Sequence, residues 1–195
     1  MLRRSVFFKG YTLGMRSHKI IKFRRRVYPS IATFWKEFKG LIADRKKIRE
    51  VMRSDKIAPY FRERLMLAVT SVNKCRYCAY GHSLRALEEG ISQEEIQELC
   101  AGTFDQCPEE ELPALLYAQH WAESGGEVDQ EAREVLVSNY GKQKAEAIEM
   151  TLRLIQMGNL LGNTFDYFIY RVTLGRKGLL EEERQAHIPV DVVTP

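Results

Sequence analysis

No stretch of this 195-residue chain alternates apolar and polar residues for more than a few positions, which argues against a half-buried β-sheet. Apolar residues recur instead at helical spacing, between recognisable start and stop signals. Pro29-Ser30 precedes an amphipathic run from Ile31 to about Arg53. Pro59 stands where the first turn of a helix begins, and Phe61, Leu65, Val69 and Val72 follow along it. Gly90 ends one helix, and Ser92 with Glu95 forms a capping box for the next. Pro108 opens a helix through "ELPALLYAQHWAES" that stops at Gly125-Gly126. Asp129 caps a short helix to Tyr140, and Gly141 separates it from a long one ending near Asn163. The expected fold is all-α. Asn73, Asn159 and Asn163 are expected to cap helix ends, and Trp35 and Trp121 to sit in the core or at a subunit contact.

Charge is unevenly spread. Residues 1–29 carry nine Lys/Arg and no acid, so the remaining 166 carry 21 basic against 26 acidic residues, a net of −5. A mildly acidic body argues against nucleic-acid binding through it. The longest unbroken apolar runs are pentads such as Leu65-Met66-Leu67-Ala68-Val69, too short to span a bilayer. The basic arm lacks the continuous apolar stretch and cleavage site of a secretory signal. It is expected to be a flexible or partner-docked segment with weak affinity for anionic surfaces, and an organellar transit peptide stays open as the alternative. A cytoplasmic location is expected.

The chemistry-bearing stretch is "ERLMLAVTSVNKCRYCAYGH", residues 63–82. On a helix advancing about 100° per residue, Cys75, Cys78 and His82 fall within a stripe of about 60°. A helix N-terminus favours a thiolate, and an imidazole four residues on can accept the thiol proton or stabilise the anion. Glu63 lies in an apolar helical segment, where a carboxylate costs free energy unless paired; His82, directly or through a water, would serve as its partner, and the alternative is a surface glutamate pairing with Arg64 or a neighbouring basic residue. Zinc competes weakly, because six residues separate Cys100 from Cys107 and there is only a single C-x-x-C, and no metal or other cofactor is expected. Cys100 is expected to be a buried apolar cysteine and Cys107 a loop thiol. His120, between aromatics in "YAQHW", is expected to be a packed or interface histidine.

Glu63, the apolar helix after it, Asn73, Cys75-Arg76-Tyr77-Cys78, His82 and "ALEEGISQEEIQEL" together resemble the alkylhydroperoxidase D-like, or carboxymuconolactone decarboxylase-like, superfamily over roughly residues 58–165. The chain is expected to divide into a basic arm over 1–29 and a helical extension over 30–57, both outside the shared core, then a helical core over 58–175 that the resemblance implies and a tail over 176–195. The resemblance further implies a homo-oligomer, a trimer or hexamer, with the site near subunit contacts. In the peroxidase members the cysteine matching Cys78 attacks the peroxide and the one matching Cys75 resolves the sulfenic acid into a disulfide. The residues matching His82 and Glu63 relay protons. Tyr77 stands where some members carry histidine, and a phenol is the poorer base near neutral pH. The implied partners are a hydroperoxide substrate and a dithiol reductant such as a lipoyl carrier protein, expected to attack the more exposed Cys75. The true decarboxylases generally lack the cysteine pair. The competing expectation is a redox sensor of the same fold without fast turnover.

Overall fold

The computed structural model describes residues 21–53 and 56–185. They form α1 (Ile31–Ala43), α2 (Arg45–Arg53), α3 (Pro59–Asn73), α4 (Arg76–Glu88), α5 (Gln93–Ala101), a single 3-10 turn (Glu109–Glu111), α6 (Leu112–Glu123), α7 (Gln130–Val172) and α8 (Glu181–Gln185). No strand occurs among the described residues, so the fold is all-α as expected.

Helix α3 is the hub. Nearly every residue from Phe61 to Asn73 is buried, because α4, α5, α6 and α7 all pack on it. A helix surrounded in this way must satisfy any polar group it carries. Arg64 does so with two acids: its guanidinium meets Glu95 Oε1 at 2.5 Å and Glu111 Oε2 at 3.1 Å, all three residues being buried. This splits the expected capping box. Ser92 accepts from the Glu95 backbone N–H at 3.1 Å, while the Glu95 carboxylate turns inward to Arg64.

Three expectations change. The run from Ile31 to Arg53 is two helices, broken at Asp44, whose carboxylate pairs with Arg153 of α7 at 3.0 Å. Helix α7 is interrupted at Gly141 (φ 73°), as the sequence suggests, but continues nine residues past Asn163 to Val172. Asn159 and Asn163 are therefore not caps. Both are mid-helix and fully buried, and their amides cross to α3, Asn159 to Thr70 Oγ1 at 3.1 Å and Asn163 to the Asn73 carbonyl at 2.7 Å. Asn73, the last residue of α3, donates to Gln156 of α7 at 2.7 Å. A polar seam thus locks the two helices in register.

The described part of the basic arm, residues 21–29, packs back on the second half of α7. Tyr170 donates to the Ile21 carbonyl at 2.7 Å, and the Phe23 ring lies 5.3 Å from that of Tyr167. Residues 1–20 of the arm and 186–195 of the tail lie outside the described residues. No helix is long and apolar enough to cross a membrane.

Candidate active site

Helix α3 stops because Lys74 adopts a left-handed conformation (φ 55°), and this turn leaves Cys75 as the N-cap of α4. There the Cys75 sulfur accepts from the Cys78 backbone N–H at 3.4 Å, and the two Sγ atoms stand 2.9 Å apart as free thiols. The third wall is α7. A Cβ added to Gly162 would meet Cys75 Sγ at 2.7 Å and Tyr77 Cδ2 at 3.2 Å, whereas one on Gly158 would meet Cys78 Sγ at 3.9 Å. The thiol pair therefore rests on a ledge of two glycines one helical turn apart.

That packing reverses the expected exposure. Cys75 is fully buried, and Cys78 is half-buried.

The two thiols differ in acidity. The contact with the Cys78 thiol, together with the backbone N–H groups of Cys78 and Tyr77 and the Arg25 charge, brings the Cys75 thiol down to about 7 against the opposing effect of burial. Cys78 is pushed up by the neighbouring Cys75 and by burial, while the Asn159 amide acts on it in the opposite sense. The buried, N-cap sulfur is thus the more acidic of the two.

Glu63 and His82 meet as their positions suggest. The His82 Nδ1 atom lies 2.7 Å from Glu63 Oε2, with the Glu63 side chain buried and His82 largely so. His82 is four residues beyond Cys78 on α4, so the two side chains are neighbours on one face. The arrangement is that of a Cys/Glu/His redox centre.

Tyr77 looks elsewhere. Its hydroxyl donates to Asp166 Oδ1 at 2.7 Å and accepts from Arg76 at 3.0 Å. Asp166 is fully buried, and it also pairs with Arg76 and with Arg25 Nη1 at 2.7 Å. Arg25 in turn donates to Asn163 Oδ1 at 3.2 Å and to the Gly178 carbonyl. This network ties the arm, the C-terminal half of α7 and the residues flanking both thiols into one unit. Sequence reasoning missed it; an acid at Asp166 within an aromatic-rich helix, like Glu63 in its apolar one, was the available signal.

The other cysteines exchange burial, Cys107 keeping its expected place in the loop after α5. Cys107 is the buried one, its thiol 3.6 Å from Glu95 Oε1 and pushed up to about 12 by burial and by Glu95. Cys100 is half-buried and lines, with Cys75, Lys74 and Arg76, a cavity of about 230 Å³. His120 is exposed and pairs with Asp129 at 3.1 Å rather than packing inside. Trp35 is half-exposed and Trp121 half-buried beside Gly126. Among the described residues no group of three or more His, Cys, Asp or Glu side chains is arranged to hold a metal ion.

Residues 45–124 match the model of the carboxymuconolactone decarboxylase family. No curated protein and no solved structure matches the chain. The matched segment runs from α2 through α6 and includes Glu63, both cysteines of the pair and His82.

Proposed function

Residues 45–124 belong to the carboxymuconolactone decarboxylase-like superfamily, and on that premise we propose that the chain is a thiol-dependent peroxidase cycling between a Cys75/Cys78 dithiol and a disulfide. The observation that carries this reading is the 2.9 Å contact between two thiols of unequal acidity, with an imidazole–carboxylate pair on the side of Cys78. A decarboxylase needs no such pair.

In this mechanism the Cys78 proton passes along the sulfur–sulfur contact to Cys75, leaving the charge on the thiol that solvent reaches. The Cys78 thiolate attacks the terminal oxygen of a hydroperoxide ROOH. The O–O bond breaks, Cys78 keeps the terminal OH as a sulfenic acid, and the departing RO⁻ takes its proton from His82, held by Glu63. The Cys75 thiol then attacks the sulfenic sulfur, a disulfide forms and water leaves. A dithiol, for instance a lipoyl group on a carrier protein, attacks at the more open Cys78, leaves as its own cyclic disulfide and restores both thiols. Tyr77 acts here as a positioning residue, fixing the α4 N-terminus through Asp166.

Self-association is part of the proposal. Tyr77, Tyr80, Leu84 and Leu87 form an exposed apolar stripe on α4, and Leu161, Phe165, Phe168 and Val172 form another on α7. The Tyr77 and Phe165 rings touch with centroids 6.2 Å apart, joining the stripes beside the site. A second copy would cover this surface.

The test is peroxide consumption coupled to oxidation of a dithiol. The wild-type protein turns over many equivalents and accumulates a Cys75–Cys78 disulfide, mapped by mass, when reductant is withheld. Undiminished turnover by Cys78→Ser overturns the assignment. One equivalent of disulfide without further turnover favours a sensor.

A further inference from the structure

The α1–α2 pair carries a surface that the redox reading does not use. Ile31, Trp35 and Ile42 are 77%, 49% and 49% exposed, and at i, i+4 and i+11 they fall within about 40° of one another on α1. They form an apolar stripe on the outside of the molecule. The Trp35 ring is held in place by Phe34 and Phe38, at 5.6 and 5.5 Å between centroids. Lys39 and Lys36 follow on the adjoining face of α1, and Lys46, Lys47 and Arg49 project from α2, all five exposed.

The charge of this region is unbalanced by construction. Its three acids are all engaged: Glu37 accepts from the Tyr28 hydroxyl at 2.8 Å, Asp44 pairs with Arg153 at 3.0 Å and Glu50 with Lys56 at 2.9 Å. The five cations make no ion pair among the described residues. Residues 31–53 hold seven Lys/Arg and three Asp/Glu. The α1–α2 face is therefore positively charged beside its tryptophan-bearing apolar stripe.

We propose that the α1–α2 face docks on an anionic lipid bilayer surface, with Ile31, Trp35 and Ile42 in the headgroup–acyl boundary and the lysines among the headgroups. An apolar stripe flanked by cations is the form that lies in such an interface, and tryptophan prefers that depth. A second copy is a poor occupant, since it would bring five unpaired cations against five more. A nucleic acid would answer the charge but leave the two isoleucines uncovered. The inference is independent of the peroxidase assignment, and places the protein at membranes whatever its reaction.

The test uses the full chain and vesicles of phosphatidylcholine with or without about 30% phosphatidylglycerol, in flotation and fluorescence. A Trp121→Phe background leaves Trp35 as the sole tryptophan reporter. Flotation with the anionic vesicles only, a blue shift of Trp35, and loss of binding at high salt are expected. Lys46→Glu/Lys47→Glu should weaken partitioning by tenfold or more, given about fivefold for each juxtamembrane cation. Trp35→Ser/Ile42→Ser should weaken it comparably while circular dichroism stays unchanged, because both side chains are half-exposed. Equal binding to neutral vesicles, no binding at all, or anionic binding that survives Trp35→Ser/Ile42→Ser overturns the proposal; the last assigns the affinity to residues 1–20. Tighter binding to RNA than to vesicles also overturns it.

Discussion

Substituting the two ledge glycines one at a time separates the packing of the thiol pair from its chemistry. Both sit in the interior of α7, where alanine is favoured over glycine by about 1 kcal/mol. Gly158→Ala puts a methyl group 3.9 Å from Cys78 Sγ, an ordinary contact, so it should gain most of that amount. Gly162→Ala puts one 2.7 Å from Cys75 Sγ and 3.2 Å from the Tyr77 ring. Non-bonded heavy atoms favour about 3.5–4 Å, so the sulfur or the helix must move by roughly 1 Å. Cys75 cannot swing out freely, since it is fully buried and its sulfur accepts the Cys78 N–H. Overpacking of this kind costs about 1–3 kcal/mol, so Gly162→Ala should end about 1–3 kcal/mol below Gly158→Ala. Urea unfolding of the two variants side by side under reducing conditions measures the difference. Disulfide formation after one equivalent of peroxide gives a second readout, slowed in Gly162→Ala alone because the thiols have lost their 2.9 Å approach. Equal stabilisation of both variants, with equal disulfide rates, would refute the ledge.

Thiolate absorbance should rise through a step near pH 7 that disappears in Cys75→Ser, since Cys75 is the thiol brought down to about 7. The same lowering makes the native state release a proton before the unfolded chain does. Stability of the reduced protein should therefore increase from pH 7 toward 9 and fall as the pH drops through 7; above 9 it should fall again, because the raised Cys78 stays protonated only when folded. Arg25→Met should cost about 3–5 kcal/mol by leaving Asp166 buried with one cation fewer, and should move the Cys75 step upward. A step that stays put in Arg25→Met argues that the arm does not reach the thiols electrostatically. Arg64→Met leaves Glu95 and Glu111 buried without their cation and should destabilise by a similar amount, measured by thermal unfolding. Glu63→Gln should lower peroxide turnover at least about tenfold, by removing a charge-assisted hydrogen bond to His82 worth about 1.5–3 kcal/mol; unchanged turnover would take the relay out of the mechanism.

What was legible along the chain was what depends on near neighbours. Pro59, Gly90, Ser92 and Asp129 mark helix boundaries because capping is satisfied within a few residues. The helical spacing of apolar residues excluded strands, and Glu63 announced a partner because a carboxylate in an apolar helix needs one. Cys75, Cys78 and His82 share a face by periodicity alone. The readings that changed all turned on contacts between segments far apart in sequence. Asn159 and Asn163 became a seam because α7 lies along α3, not because of anything beside them. Cys100 and Cys107 exchanged burial when α5 and its following loop docked on the hub. Tyr77 sits between the cysteines in the chain, yet its hydroxyl belongs to Asp166, 89 residues away.

By itself, then, the sequence determined a helical chain carrying two thiols, an imidazole and a carboxylate in one neighbourhood. Only the tertiary structure decided which thiol is open and which is the more acidic. That choice depends on where Gly162, Asn159 and Arg25 arrive around the sulfurs. Burial and electrostatic fields are summed over space, and local periodicity holds no record of them.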